Sequence, residues 1–364
     1  MKGSDEMNVG IAFFPDVDER DKPAATYFAD CLDFVADADR AGFHHVRIVE
    51  HYFRRYGGYS PNPIVFLSAA AQRSHRLRLI TGAVVPAFNH PLKVAGEIGM
   101  LDAISGGRAE IGFARGFLPH EFHRFGVPMD ESRARFTEGV AVVQELLSRP
   151  EVTHEGAFHR FSATTSLPRP TQQPGPPIWI AALTTPESFQ LAGELGYGIM
   201  AQPVVPESLR NNLEIYRTAW ANAGHPGDGR VMLAFHMYCH ENGEIAREIA
   251  RGPINRYLEL LAEAAAEWLS GPQSADYSGY QKMIAKLRED SFETLFERGS
   301  ALVGSPDEIV DLVRAYDRNC GGFEYASVQF YFSNLDRQIA RSSLDLLATK
   351  ALPALRADRR DALV

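Results

Sequence analysis

Long apolar runs are missing from this chain, which excludes an integral helical membrane protein. Cysteine is nearly missing too. The three present, Cys31, Cys239 and Cys320, are widely spaced and form no CxxC pair. That excludes a disulfide framework or a cysteine zinc site and predicts a reduced, cytoplasmic protein. An excess of positive charge is absent: the net charge of −9 argues against nucleic acid or an anionic membrane as the main partner. Local basic clusters remain free to hold a small anion. The opening MKGSDEMNVG carries acids and lacks the apolar core of a signal peptide. The usual nucleotide and hydrolase signatures are also lacking. The first strand-like run ends FFPDVDERDKP, with no GxGxxG, and neither GxxxxGK[ST] nor GxSxG occurs.

What is present is a regular alternation of short apolar runs with amphipathic ones, over a length that suits one large α/β barrel or two domains. Strands are predicted at 8–14, 44–50, 77–85, 108–114, 177–183, 198–202, 230–240 and 322–330. Helices are predicted between them. PNPIVFLSAAAQR (61–73) carries a proline in its first turn, and 91–104 stops at Ser105-Gly106-Gly107. Residues 150–176, rich in Pro, Thr and His, read as an excursion after the fourth strand. Residues 244–300 read as mostly helical, interrupted near GPQSADYSGY. Eight β/α units predict a single (β/α)8 TIM-barrel domain over 1–364, with that excursion and an extended helical region before strand 8. The competing doubly wound sheet would carry a glycine-rich turn after its first strand, and none is there.

In such a barrel, chemistry gathers at the carboxyl ends of the strands. Those ends supply Phe13-Phe14, Glu50-His51, Val84-Val85-Pro86, Arg115-Gly116, Ala182-Leu183-Thr184, Gln202 and Gln329-Phe330, a largely apolar and aromatic set. Strand alternation sends Glu50 and His51 to different sides; His51 is taken to face the centre as a proton carrier, with Glu50 structural. Arg115, in GFARGF, and Arg133, in MDESRARF, are candidate anion binders. Thr184 and Thr185 open a helix whose free amides and hydroxyls suit a phosphate. His120 and His123, in HEFH, lack the carboxylates that would complete a metal site, so no metal is expected. Glu50 and Glu324 are the only strand-associated glutamates that a barrel glycoside hydrolase could use.

Five segments in order, AGFHHVRIVEHYF (41–53), TGAVVPAFNHP (81–91), LDAISGGRAEIGFARGF (101–117) with RFGVPMDESRARF (124–136), PIWIAALTTPES (177–188) and VGSPDEIVDLV (303–313), resemble the bacterial luciferase-like flavin monooxygenases. EHYFRRYGGYSPNP resembles the subgroup found in natural-product biosynthesis. The resemblance implies reduced FMN (FMNH2) delivered by a separate flavin reductase, O2 as co-substrate, and a C4a-peroxyflavin. It also implies an organic substrate, free or bound to a carrier protein, and a homodimer. His51 falls on the family's active-site histidine, and Gly82-Ala83 on a non-prolyl cis peptide beneath the flavin ring. Arg115, Arg133, Thr184 and Thr185 fall on the FMN phosphate site. Tyr52, Ala114 and Leu183 depart from luciferase itself, which argues against light emission and long-chain aldehydes but not against flavin. Within the same superfamily a deazaflavin-dependent dehydrogenase is the alternative; from another class, a barrel hydrolase. The loops at 54–60, 117–129 and 268–292 are expected to shape the substrate pocket.

Overall fold

The computed structural model describes residues 6–269, 274–277, 279–332 and 335–357. The chain begins β1 (Asn8–Phe13), α1 (Ala24–Ala41), β2 (His45–Ile48), α2 (Pro63–Ala71), β3 (Arg78–Thr81), α3 (Pro91–Ser105) and β4 (Ala109–Ala114). Next come α4 (Pro119–Phe125), α5 (Ser132–Ser148), a hairpin β5 (Val152–Glu155) and β6 (Arg160–Thr164), then β7 (Ile178–Ala182), α6 (Pro186–Glu194), β8 (Gly198–Ala201) and α7 (Pro206–Asn222). The last part holds β9 (Val231–Cys239), α8 (Gly243–Ala264), α9 (Tyr280–Leu287), α10 (Phe292–Glu297), β10 (Ala301–Gly304), α11 (Pro306–Cys320), β11 (Tyr325–Gln329), α12 (Arg337–Leu346) and α13 (Leu352–Ala357).

Strands β1, β2, β3, β4, β7, β8, β9 and β11 pair in parallel and close on themselves through β8–β9 and β11–β1. This is the expected eight-stranded barrel, with helices returning the chain outside each pair. The strands are buried on both faces, so they read as near-continuous apolar runs. Ile80, Trp179, Met200 and Met232 fill the barrel, while the larger core lies between the barrel and its helices. Local signals act as expected. The Asn62 side chain accepts from the amides of Ile64 and Val65 ahead of Pro63, and Gly106 closes α3 in the left-handed region.

Two features differ from the sequence expectation. The excursion after β4 contains the antiparallel hairpin β5–β6. The helical region before the last barrel strand also ends in an extra strand, β10, which pairs with the carboxyl-terminal half of β9 outside the closed barrel. Its four residues, ALVG, are all buried. Such a run is too short to carry a strand period, and only its partner defines it. The expected break near GPQSADYSGY lies partly outside the described residues, at 270–273 and 278.

Candidate active site

His51 follows β2 at the carboxyl end of the barrel. Its ring is largely covered, by Phe14 at 5.6 Å, Tyr56 at 5.2 Å and Phe117 at 6.2 Å between centroids. Gly57 makes this packing possible. A Cβ there would lie 2.8 Å from His51 Cδ2, and its φ of +73° belongs to the region that glycine favours. Glu121, on α4, holds the ring from the other side: Nδ1 donates to its Oε1 at 3.1 Å, and the same oxygen accepts from the Tyr52 amide at 2.8 Å. A carboxylate oxygen only accepts, so Nδ1 carries the hydrogen and Nε2 is left to take up or release a proton.

Glu121 is buried to 1% exposure, yet sequence reasoning passed over it. In HEFH the two histidines carry the recognisable spacing, and Glu121 between them carries none. The available signal was a carboxylate placed among Phe117, Leu118, Phe122 and Phe125, where burial demands a partner. His120 Nε2 meets the Tyr52 carbonyl at 3.2 Å, and burial pushes its basicity down.

Glu50 takes the structural place expected of it. It is 4% exposed and accepts from Tyr52 Oη and Asn89 Nδ2, both at 2.8 Å. Those bonds favour the charged carboxylate, but burial outweighs them and its pKa rises to about 8. Glu324 precedes β11 at the opposite end of the barrel, where its carboxylate accepts from the Val231 amide at 2.7 Å. The two glutamates a glycoside hydrolase would need are therefore not brought together.

The Gly82–Ala83 peptide bond, just past β3, is cis. Gly82 also lies against Arg47: a Cβ there would stand 2.5 Å from Arg47 Cγ.

Arg115, just past β4, and Arg133, in the first turn of α5, line one cleft of about 310 Å³. Thr137 of α5, Ile180 and Ala181 of β7, and Glu187, Ser188 and Glu194 of α6 are also in its wall. Two groups far apart in sequence thus converge beside a helix N-terminus. Thr184 and Thr185 do not line this cleft. Thr184 Oγ1 approaches Met283 Sδ at 3.8 Å, and Thr185 stands at the N-cap of α6 without a side-chain capping bond. Thr137 and Ser188 are the hydroxyl-bearing residues that line the cleft with the arginines.

Trp268, Asp276 and Tyr277, after α8, reach the two arginines and the loop after β4. Arg115 Nη1 donates to the Asp276 carbonyl at 2.8 Å, and its guanidinium lies 4.2 Å from the Tyr277 ring centre. Asp276 Oδ2 accepts from the Arg133 amide and from Ser132 Oγ, at 3.0 and 3.2 Å. Tyr277 Oη and Trp268 Nε1 donate to the carbonyls of Gly116 and Phe117, each at 2.8 Å. Arg54 meets Glu267 at 2.5 Å. Loops 117–129 and 268–292 are therefore tied to each other, and Arg54 of loop 54–60 reaches Glu267 just ahead of the third, of which residues 270–273 and 278 lie outside the described residues.

An arginine pair beside a helix start fits a phosphate group, and the aromatic walls around His51 fit a planar ring system. Residues 7–321 match the model of the luciferase-like monooxygenase family. The chain is 28% identical over 351 residues to the oxygenase component of flavin-dependent trigonelline monooxygenase from Acinetobacter baylyi, covering 93% of each chain. The crystal structure of monooxygenase RslO1 from Streptomyces bottropensis superposes with a TM-score of 0.86 at 39% identity, covering 96% of this chain and 99% of that one. An F420-dependent glucose-6-phosphate dehydrogenase from Beutenbergia cavernae is 31% identical over 187 residues, 49% of this chain and 54% of that one. The chain belongs to the luciferase-like monooxygenase family.

Proposed function

We propose that this protein is the oxygenase component of a two-component monooxygenase in natural-product biosynthesis. A separate flavin reductase supplies FMNH2, and the protein uses O2 to oxygenate an organic substrate, free or carried on a carrier protein. The overall reaction would place one oxygen atom in the substrate and the other in water, with two electrons drawn from the cofactor that Arg115 and Arg133 would hold. Bound FMNH2 supplies the electrons that activate oxygen. The carrying observation is the convergence of Arg115 and Arg133 beside the first turn of α6. Two guanidinium groups and helix-start amides complement a phosphate dianion.

The remaining residues have separate tasks. Phe14, Tyr56 and Phe117 exclude water around the His51 ring. Glu121 is a positioning residue that fixes which His51 nitrogen holds hydrogen. His51 Nε2 is the atom at which a proton is held or moved. The half-length similarity to an F420-dependent dehydrogenase keeps one alternative, hydride transfer with a deazaflavin and no oxygen.

Anaerobic titration separates the two. Quenching of protein fluorescence by FMNH2, followed by oxygen uptake on mixing with aerated buffer, supports the oxygenase. Binding of reduced F420 without binding of FMNH2 would replace it with the dehydrogenase. Arg115→Ala should weaken whichever cofactor binds.

A further inference from the structure

Four side-chain nitrogens buried inside the barrel lack a hydrogen-bond partner among the described residues: His45 Nε2 toward the amino end and, toward the carboxyl end, Arg47 Nε, Gln329 Nε2 and His236 Nδ1, the last two on side chains that also interact with each other. The last three are not scattered. Cross-strand register sets Arg47 opposite Ala12, Ala12 opposite Gln329, and Gln329 opposite His236. Residues at one level of a parallel sheet face the same way. That way is inward: Tyr325, two and two again before Gln329 on β11, meets Trp179 of the non-adjacent β7 at 5.1 Å across the barrel. The level lies near the carboxyl ends of β2 and β11, on the mouth side.

Arg47 is the most demanding of the three. It is 9% exposed, and the ionisable groups acting on it are Tyr257 and Tyr56, with no carboxylate among them. Burial lowers its pKa only to about 10, so it stays a cation at neutral pH. Two other partly buried barrel-end arginines, by contrast, are well engaged. Arg78 bonds Glu110, Gln172 and two carbonyls, and Arg108 bonds Ser74 and four carbonyls. A buried guanidinium without a counter-ion is costly, and an anion brought by a ligand removes that cost.

The surroundings define the ligand's shape. Tyr56 and Tyr257 join their hydroxyls at 3.1 Å, the His236 ring lies 4.4 Å from Tyr257, and Phe14 packs on both Tyr56 and His51. The unpartnered donors are thus continuous, through aromatic faces, with the proposed proton carrier.

We propose that Arg47, Gln329 and His236 form an oxyanion subsite for the substrate, which takes the ionised oxygen of a planar conjugated molecule, a phenolate or carboxylate, beside His51. This rests on the oxygenase reading of the mouth. A reduced flavin anion offers the same charge, so the test has to tell the two apart.

The probe is 4-nitrophenol, whose phenolate is yellow and whose phenol is not, with 4-nitroanisole as its neutral counterpart. Titrated into the flavin-free protein, wild type should bind the phenolate and lower its apparent pKa by about one unit. Arg47→Met should abolish that shift and weaken nitrophenolate binding about tenfold or more, leaving 4-nitroanisole and FMNH2 affinities unchanged. Arg47→Lys should keep part of the shift. Gln329→Met should weaken nitrophenolate binding several-fold, and it carries the test if melting curves show that Arg47→Met is unfolded. Equal binding of both probes to wild type, or no pKa shift, overturns the proposal. So does an Arg47→Met variant that loses FMNH2 but keeps nitrophenolate, since the cation then serves the flavin. Nitrophenolate binding in a protein that takes no FMNH2 supports the subsite and sinks the cofactor reading instead.

Discussion

Glu50→Gln should stabilise this protein, and by an amount that depends on pH. The Glu50 carboxyl has its pKa raised from 4.5 to about 8, with burial as the main cause. The folded state therefore keeps a proton that the unfolded chain gives up, and stability is lost as pH rises from the unfolded value to the folded one. At 1.36 kcal/mol per unit, the penalty is about 4 kcal/mol at pH 8 and about 1 kcal/mol at pH 5. Glutamine removes the titration, and its Oε1 can still accept from Tyr52 Oη and Asn89 Nδ2. For a chain of 364 residues, each kcal/mol moves Tm by about 1.3 °C. Melting curves of wild type and Glu50→Gln should therefore differ by about 5 °C at pH 8 and about 1 °C at pH 5. An equal shift at both pH values, or destabilisation at both, would show that Glu50 is charged and satisfied in the fold, and the reasoning from burial would fail.

Arg115→Ala should weaken FMNH2 binding by about 1.5–3 kcal/mol, the range for a charge-assisted contact, as read by fluorescence titration; unchanged affinity would remove Arg115 from the phosphate site. His51→Ala should keep the fold and FMNH2 binding while product formation drops about 10²–10⁴-fold and hydrogen peroxide release per FMNH2 oxidised rises. Retained rate and coupling would reduce His51 to a packed ring. Glu121→Gln should shift the pH profile of turnover, because an amide does not impose one imidazole tautomer, and a profile identical to wild type speaks against the positioning role. Gly57→Ala should destabilise the protein by about 1–3 kcal/mol, since it adds a left-handed alanine and a Cβ 2.8 Å from His51 Cδ2; denaturant melts that match wild type would refute the packing account.

The barrel was legible in the chain because parallel strands buried on both faces announce themselves as apolar runs, and the helices between them carry their own caps. Asn62 with Pro63, and Gly106 after α3, act through neighbouring residues, so the sequence alone was enough to place them. The positions of His51, Arg115 and Arg133 in the fold, as distinct from the roles proposed for them, were legible for a related reason: each stands where a strand or helix of recognisable pattern meets a loop. Residues 301–304 were not, because a four-residue strand is defined by the β9 edge that it pairs with rather than by its own period. The partners were not legible either. Sequence separates Glu121 from His51 by 70 positions and Asp276 from Arg133 by 143, and only closure of the barrel brings them together. The same holds for Arg47, Gln329 and His236. Each alone looks like an ordinary polar residue in a strand. Cross-strand register, which depends on every strand at once, decides that they share a level and face the interior. Local chemistry is written residue by residue, whereas burial and register belong to the closed sheet, and those two quantities turn scattered polar side chains into a site.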